Sequence, residues 1–345
     1  MKKIVLFSPG LNIGGIERIM VNYANLLADK YEVYYLTCHE NGIFEESIDS
    51  NVKITNLKTN SLRRSIIPIA RFLCKIKPTA IITANTAALI ILLAKIISFS
   101  RVKVIASHHN FANCETKSII DRKIIWQIYN WCDNVIAISD GIEKLLRSHV
   151  SKNKIIKIYN PLEYDKITSL ANAPTAIPYS DYILFVGRFS KVKNIKRLLD
   201  ACHINNIKND ILLVGEGPEE KYISNLIQEY GMENQVNILK PTNNPYPYIK
   251  NAKLLVLSSD SEAFPTVILE ALTLGKTIVS TPTIGAKEIL DDGKLGYIAP
   301  DFEPHKFGEI LQEAIDKPND SKFLMAEVRG RYSILQVLDQ IKSII

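Results

Sequence analysis

The sequence contains no uncharged run long enough to cross a membrane as a helix. Its longest uncharged stretch, Thr79 to Ala94, stays below the roughly 18 residues that such a helix needs, and Thr and Asn interrupt it. We therefore expect this stretch to form a strand and a buried helix. The apolar run within Met1–Pro9 is too short for a secretory signal peptide and predicts a first β-strand instead.

Cysteines are few and dispersed. The five cysteines form no Cys-x-x-Cys pair, and they are Cys38, Cys74, Cys114, Cys132 and Cys202. An odd, scattered set predicts neither a disulfide framework nor a zinc site and is typical of reduced thiols in a cytosolic protein. The Gly-x-Gly-x-x-Gly fingerprint of dinucleotide-binding proteins is also missing after the first strand, which disfavours a dehydrogenase.

Acidic residues are under-represented in the first half of the chain. Residues 1–170 contain 23 Lys and Arg against 14 Asp and Glu, a net charge of +9, whereas residues 171–345 contain 19 against 22, a net charge of −3. A basic first half predicts an anionic partner, which could be a membrane surface, a phosphorylated acceptor or nucleic acid. The basic amphipathic stretch Arg63–Lys77 could lie on anionic lipid or be an ordinary surface helix.

Short apolar runs alternate with helical patterns along the whole chain, which predicts an α/β fold with parallel sheets. We expect two doubly wound domains, residues 1–170 and residues 171–321, with a proline-containing linker over residues 160–181. The last segment, residues 322–345, has a helical pattern without a following strand and could cross back to the first domain. Ligands of such sheets bind at the carboxyl ends of the strands.

Two carboxylates, Glu262 and Glu270, flank a predicted helix start at Pro265 that follows a buried strand, Leu254–Leu257. Proline is favoured at the first helical position, so we expect Glu262 in the preceding loop and Glu270 about two turns into the helix. A helix N-terminus can hold a phosphate or a sugar. The two carboxylates could act as general acid and base or accept hydrogen bonds from hydroxyls, and Glu270 could also simply pair with a core lysine.

Two cations, Arg188 and Lys193, follow another predicted strand, Tyr182–Val186. Cations at the carboxyl end of a strand can neutralise a diphosphate leaving group without a metal ion. The alternative is a solvated basic turn, because Lys191 lies between them. Asp260-Ser261-Glu262 is only loosely similar to an Asp-x-Asp metal motif, and we predict no metal site.

Glycines and histidines mark three further predicted strand ends. Gly14 and Gly15 open the first helix, and Gly215 ends a strand of the second domain, so the backbone there can approach a ligand or make a plain turn. His108 and His109 end a central strand of the first domain. Because adjacent strand residues face opposite sides, we expect only one of the two rings to face a ligand.

In their order and spacing, these motifs resemble those of the retaining glycosyltransferases of family 4, which have the GT-B fold. The resemblance covers nearly the whole chain through the segments Gly14–Arg18, Ser107–Asn110, Cys132–Gly141, Asn160-Pro161, Gly187–Asn194, Gly215–Pro218, Glu262–Glu270 and Gly285–Gly296. The sequence departs from the family pattern at Ala263 and at Lys240-Pro241-Thr242, where the family usually has glycine.

The resemblance implies two Rossmann-like domains facing a cleft and the retaining transfer of a sugar from a nucleotide-diphosphate donor, with UDP as the expected nucleotide. It implies a lipid-linked or saccharide acceptor in cell-envelope glycan synthesis, such as lipopolysaccharide or capsule. It also implies roles for single residues. Arg188 and Lys193 would bind the diphosphate, Glu262 the donor sugar and Glu270 the ribose, and the residues lining the donor would be Gly215, Phe264, Pro265, Thr266 and Val267. His109, with His108 as the alternative, would lie near the reaction centre, and Gly14, Gly15 and His108 would lie on the acceptor side.

We accordingly expect a metal-independent hexosyltransferase without a cofactor, which binds a nucleotide sugar and no nucleic acid. We expect it in the cytoplasm, and peripheral on the inner face of the cytoplasmic membrane if the basic stretch binds lipid. Two alternatives remain open at this point. A nucleotide-sugar epimerase of the same architecture needs additional acid and base residues, and a catalytically silent partner would not need the four charged residues Arg188, Lys193, Glu262 and Glu270.

Overall fold

The chain folds into two compact units in the computed structural model, and each contains one parallel β-sheet. The model describes residues 1–11, 15–39, 42, 44–85, 87–109, 119–175, 177, 181–332 and 334–345, with only the backbone of residues 119–122. The first unit comprises Met1–Pro161 and Tyr332–Ile345, and the second comprises Leu162–Arg331. Across the described residues, no helix has both the length and the apolar composition needed to span a membrane.

The sheet of the first unit has seven strands in the order β3-β2-β1-β4-β5-β6-β7, all parallel to their neighbours. The strands are β1 Lys3–Phe7, β2 Glu32–Thr37, β3 Lys53–Asn56, β4 Ala80–Ala84, β5 Lys103–His108, β6 Asn134–Ala137 and β7 Ile155–Lys157. The described helices are α1 Gly15–Ala28, α2 Ile66–Ile76, α3 Ala87–Ile97, α4 Ile119–Trp131 and α5 Asp140–Arg147, with α14 Ile334–Ile344 at the end of the chain.

The sheet of the second unit has six parallel strands in the order β10-β9-β8-β11-β12-β13. The strands are β8 Ile183–Val186, β9 Ile211–Val214, β10 Val236–Leu239, β11 Leu254–Leu257, β12 Thr277–Ser280 and β13 Tyr297–Ile298. The helices are α6 Tyr164–Leu170, α7 Ile195–Ile204, α8 Glu220–Glu229, α9 Tyr246–Asn251, α10 Thr266–Thr273, α11 Ile284–Ile289, α12 Pro304–Asp316 and α13 Ser321–Arg331.

The central strands are nearly continuous apolar runs because both faces of each sheet are covered there. Residues 4–7 of β1 and 254–257 of β11 are at most 1% exposed. In the second unit, one apolar cluster joins β8, β9 and β11 to the helices α7, α8 and α12 through residues such as Phe185, Leu213 and Phe307. The predicted α/β class and the strand-plus-helix interpretation of Thr79–Ala94 are confirmed, since that segment contains β4 and most of α3.

The predicted linker differs from the structure, whereas the last segment is helical as expected and returns to the first unit from Tyr332 onward. Residues 160–181 are not a plain linker, because α6 lies within them and packs against α9 and α10 of the second unit. The two units therefore divide at Pro161 and not at residue 170. The last segment forms two helices, of which α13 packs on α10 in the second unit and α14 packs on α1 in the first.

Candidate active site

Three of the charged residues predicted for a site in the second unit, Arg188, Lys193 and Glu262, lie on two segments that follow neighbouring strands. The strands β8 and β11 pair directly, so the loops after Val186 and after Leu257 begin at the same edge of the sheet. Hydrogen bonds fasten the loops to each other: the Asp260 backbone N–H donates to the Val192 carbonyl at 2.8 Å, and the Ser258 hydroxyl donates to the Lys193 carbonyl at 3.0 Å.

Lys193 and Glu262 form an ion pair across these loops. The Lys193 Nζ lies 2.6 Å from Glu262 Oε1, and the Ser259 hydroxyl donates to the same oxygen at 2.6 Å. The Glu262 side chain is only 12% exposed. No described residue donates a hydrogen bond to Oε2 of Glu262. One carboxylate oxygen is therefore held by the protein, and the other is free to accept from a hydroxyl.

Arg188 lies beside this pair in the sequence but is not neutralised. It is the second residue after β8, its side chain is exposed, and it forms no ion pair with any carboxylate that the structure describes. The two cations are thus in different states, with Lys193 paired to a carboxylate and Arg188 available to an anion. A planar guanidinium can hold two phosphate oxygens at once.

Glu270 lies closer to the helix start than predicted. The helix α10 begins at Thr266, and Pro265 precedes it in an extended conformation, so Glu270 is the fifth helical residue, about one turn in and not two. Its side chain is buried, at 6% exposed. Thr266 and Val267 are partly exposed in the first turn of α10, where backbone N–H groups have no partner within the helix, while Phe264 is buried.

Glycines at two positions permit close packing of the loops. A Cβ on Gly215, whose φ is +155°, would lie 2.0 Å from the carbonyl oxygen of Gly187, so no other residue fits there. A Cβ on Gly285 would lie 2.5 Å from the backbone of Ala263, and the Gly285 N–H donates to the Glu262 carbonyl at 3.0 Å. The first glycine joins the loops after β8 and β9, and the second fixes the loop that contains Glu262.

Arg197 is an organising residue that the sequence analysis missed. Its side chain is 9% exposed, and its guanidinium donates to the carbonyls of Ser258 and Phe302 at 2.5 and 2.8 Å and to Asp260 Oδ1 at 2.7 Å. Arg197 therefore ties the first turn of α7 to the loop after β11. The only sequence signal for such a role was the position of Arg197 one helical turn after Lys193. That spacing is not specific, because a cation on the surface of a helix has it equally often.

The two histidines of the first unit have different surroundings. His108 is 1% exposed, and its Nδ1 lies 2.8 Å from the hydroxyl of Tyr129 on α4. Its ring also contacts Trp126, with ring centroids 6.0 Å apart. His108 is therefore an interior residue of the first unit, and its expected role on the acceptor side stays a prediction.

His109 is the first residue after β5. The His109 backbone N–H donates a hydrogen bond to the Asn85 side-chain oxygen at 3.1 Å. Both nitrogens of its ring are buried, and neither has a hydrogen-bond partner among the described residues. Burial lowers the pKa of His109 to about 3, with a smaller contribution from neighbouring His108. The ring is therefore neutral at physiological pH and can exchange a hydrogen bond with a hydroxyl.

Little of the predicted glycine loop can be placed. Gly14 and the Asn110 that follows His109 lie outside the described residues, while Gly15 is exposed and begins α1. Burial raises the pKa of Glu17 in the first turn of α1, and a hydrogen bond to the backbone opposes this shift.

Within the described part of the chain, no three His, Cys, Asp or Glu side chains cluster in a way that could hold a metal ion.

Comparisons with known proteins agree with this architecture. The family model for group 1 glycosyl transferases matches residues 173–329, and that for Glycosyltransferase Family 4 matches residues 13–166. An uncharacterised glycosyltransferase of Haemophilus influenzae is 24% identical over the full length of both chains. A Campylobacter jejuni N-acetylgalactosamine-N,N'-diacetylbacillosaminyl-diphospho-undecaprenol 4-alpha-N-acetylgalactosaminyltransferase is 26% identical over 86% of each chain.

Among solved structures, that of Anabaena Alr3699/HepE in complex with UDP-glucose superimposes with a TM-score of 0.85. It is 18% identical in sequence, and the match covers 99% of each chain, which supports the fold assignment. The two family models fall on the two units of the structure and together span most of the chain. The protein thus belongs to the family-4-type glycosyltransferases, with two Rossmann-like domains of the GT-B fold.

Proposed function

We propose that the protein transfers a sugar, with retention of anomeric configuration, from a UDP-sugar to a lipid-linked or polysaccharide acceptor during cell-envelope glycan synthesis. The observation that carries the proposal is the pairing of Lys193 with Glu262 beside an unpaired Arg188 on adjacent strand-end loops. A diphosphate leaving group needs cations, and a sugar needs hydrogen-bond acceptors. These loops offer both within one small region.

In this proposal Arg188 and Lys193 bind the diphosphate. Arg188 offers an uncompensated guanidinium, and Lys193 can share its ammonium group between Glu262 and a phosphate oxygen. As the bond from sugar to phosphate breaks, negative charge accumulates on the leaving oxygen, and fixed cations lower the barrier most at that point. Two side-chain cations make a divalent metal unnecessary in this account.

The carboxylates position the rest of the donor. The free Oε2 of Glu262 accepts from a hydroxyl of the donor sugar, while Ser259 and Lys193 hold the other oxygen in place. Glu270 accepts from the ribose hydroxyls. Thr266 and Val267 supply backbone N–H groups at the start of α10, and Phe264, Pro265 and Gly215 line the donor.

Retention follows in this proposal if the acceptor hydroxyl attacks from the face that the diphosphate leaves. The leaving phosphate oxygen then takes the acceptor proton, so no protein base of matched pKa is required. We assign His109 to the donor sugar near the reaction centre. Its neutral ring can donate or accept one hydrogen bond without adding charge.

The donor and the acceptor class are supported by the relatives. The Anabaena structure binds UDP-glucose, and the name of the Campylobacter enzyme specifies an undecaprenyl-diphosphate-linked acceptor. We extend both classes to this protein, with polysaccharides such as lipopolysaccharide or capsule as the products. A lipid acceptor also places the protein at the inner face of the cytoplasmic membrane.

The test is turnover by the purified full-length protein of a panel of UDP- and GDP-sugars with undecaprenyl-diphosphate-linked saccharides, with and without EDTA. We expect UDP release with one UDP-sugar that persists in EDTA, and an axial anomeric product by proton NMR when the donor is axial. Turnover of GDP-sugars alone would overturn the donor assignment, and an inverted product would overturn retention. Loss of activity in EDTA would overturn metal independence.

A further inference from the structure

One segment of the first unit has a charge pattern that the donor chemistry does not use. From Ser50 to Cys114 the sequence contains ten Lys and Arg residues and no Asp or Glu, although 36 of the 345 residues of the chain are acidic. All ten cations lie between Lys53 and Lys103, where the chain forms β3, α2, β4, α3 and the start of β5, so they belong to the folded unit and not to a basic tail. The positive charge of the segment is therefore carried by the surface of a folded unit.

Most of these cations are not neutralised by the fold. Lys53 and Lys95 pair with carboxylates outside the segment, namely Glu32 and Asp133. By contrast, the cations on and around α2 are exposed and form no ion pair with any carboxylate that the structure describes, and they are Arg63, Arg64, Arg71, Lys75 and Lys77. These side chains remain available to an external anion.

The end of α3 exposes large apolar side chains. Ile96 is 68% exposed, Ile97 is 49% exposed and Phe99 is 93% exposed. Single exposed apolar residues are normal on soluble proteins, but three within four positions at one helix end form a patch.

The apolar patch and the basic helix are adjacent. The helices α2 and α3 pack against each other, and Cys74 Sγ on the exposed side of α2 lies 3.7 Å from the Ser98 carbonyl in the turn after α3. Ile67, Arg71, Cys74 and Lys75 share that exposed side of α2 because they recur at helical spacing. We call the exposed side of α2 together with the α3 end through Phe99 the basic-apolar face.

Phe99 is not explained by the stability of the fold. It adopts the left-handed conformation, with a φ of 49°, and it directly follows the last turns of α3, where Ser100 N–H bonds back to the Lys95 carbonyl. Helices commonly end with glycine at this position because a side chain is unfavourable there. A phenylalanine that is strained and almost fully exposed contributes no burial within its own unit.

We propose that the basic-apolar face docks the first unit on a bilayer that contains anionic lipid. Phe99, Ile96 and Ile97 insert among the acyl chains, while the α2 cations contact the headgroup phosphates. Cations rimming apolar side chains are the pattern that binds such interfaces. The inference rests on the proposed lipid-acceptor function for its purpose, and it names the surface that brings the protein to that acceptor.

The test compares binding of the full-length protein to vesicles of phosphatidylcholine with and without phosphatidylglycerol. Two variants probe the face: Phe99→Gly, and the triple variant Arg64→Gln, Arg71→Gln and Lys75→Gln. Two controls change the same properties elsewhere: Leu335→Ser, which removes an apolar side chain that is 66% exposed, and the triple variant Lys208→Gln, Lys221→Gln and Lys322→Gln, which removes three exposed cations of the second unit.

We expect the wild type to bind vesicles with phosphatidylglycerol more tightly than phosphatidylcholine alone. Phe99→Gly should weaken binding by about tenfold without lowering the melting temperature, because glycine relieves the strain. The triple variant of α2 should lose the preference for phosphatidylglycerol, and both controls should retain it.

The proposal is overturned if the wild type does not bind these vesicles, or if both face variants bind as the controls do. It is also overturned if Phe99→Gly changes only the oligomeric state by light scattering, since the face would then join two copies of the chain. UDP binding measured without vesicles separates these failures from a failure of the proposed transferase function, because the donor residues lie in the second unit.

Discussion

The Lys193 Nζ lies 2.6 Å from Glu262 Oε1, so two residues assigned separately to the diphosphate and to the donor sugar form one ion pair. Glu262 is the less exposed partner, and Ser259 fixes the shared oxygen from the other side. Any diphosphate that reaches Lys193 must share the ammonium group with Glu262. In the proposed reaction, the bond that breaks joins the sugar to the diphosphate, and the ion pair places one residue on each of these two groups.

Lys193→Ala tests leaving-group stabilisation. We expect kcat to fall by about 10²–10³-fold, the size of effect seen when one donor to a developing oxyanion is removed. Steady-state UDP release measures it, and Lys191→Ala is the matched control because Lys191 is exposed in the same turn. Near-normal turnover of Lys193→Ala would remove Lys193 from the mechanism.

The same pair predicts that mutations are not additive. Lys193→Ala leaves Glu262 as a partly buried carboxylate without its cation, and Glu262→Gln removes that cost. The free energy of unfolding of the double variant, measured with urea, should therefore exceed the value expected from adding the two single losses by about 0.5–3 kcal/mol. Additive effects within about 0.3 kcal/mol would show that the two side chains act independently in solution.

Arg197→Met tests whether a buried arginine holds the loop after β11. It removes the donors to the carbonyls of Ser258 and Phe302, and we expect a loss of about 2–4 kcal/mol in the free energy of unfolding of the second unit. Lys294→Met is the control, since its ion pairs are long and exposed and are worth less than about 1 kcal/mol. Equal urea midpoints for the two variants would contradict the organising role of Arg197.

Gly215→Ala tests the close approach of the loops after β8 and β9. A methyl group at that position would meet the Gly187 carbonyl at 2.0 Å, so the variant should unfold several degrees lower and bind UDP more weakly. Gly330→Ala provides the contrast, because nothing lies within 4 Å of its Cβ position in α13 and alanine favours helices. We expect Gly330→Ala to raise the melting temperature slightly, and a similar rise in Gly215→Ala would refute the packing argument.

His109 predicts a specific loss of stability in mild acid. Its folded pKa of about 3 lies below the usual value near 6.5, so between these pH values the unfolded chain binds a proton that the folded chain does not. Stability from this residue is complete above about pH 6.5 and declines as the pH falls toward 3, by about 2 kcal/mol at pH 5. His109→Asn should flatten the fall in melting temperature between pH 7.5 and pH 5, and an unchanged fall would contradict a buried neutral ring.

The strands of both sheets could be predicted from the sequence, whereas short helices and the contacts between charged side chains could not. Strands such as Leu254–Leu257 were predictable because they are short apolar runs bounded by polar residues, and they need both faces covered. The helix α6 was not predictable, because it has only seven residues and lies between two prolines. Such a short helix becomes stable only by packing on other elements, here α9 and α10. Local pattern alone cannot supply that tertiary contribution.

The site shows the same division. The motif spacing placed Lys193 and Glu262 at strand ends, but it could not pair side chains that are 69 residues apart. For the histidines, alternation along a strand predicted that the two rings differ, and the Tyr129 hydroxyl on another helix identified His108 as the interior one. The role of Arg197 depends on two backbone carbonyls, which carry no sequence pattern at all.

The most direct test of the central claim is a thermal-shift titration of the wild type and the double variant Arg188→Ala and Lys193→Ala with UDP and a panel of UDP-sugars, in EDTA. Ligand at about 100 times its Kd adds about 2.7 kcal/mol of stability. The account predicts a saturable rise in the melting temperature of several degrees for the wild type that the double variant loses. No rise with UDP or any UDP-sugar, or an equal rise in both proteins, would contradict it.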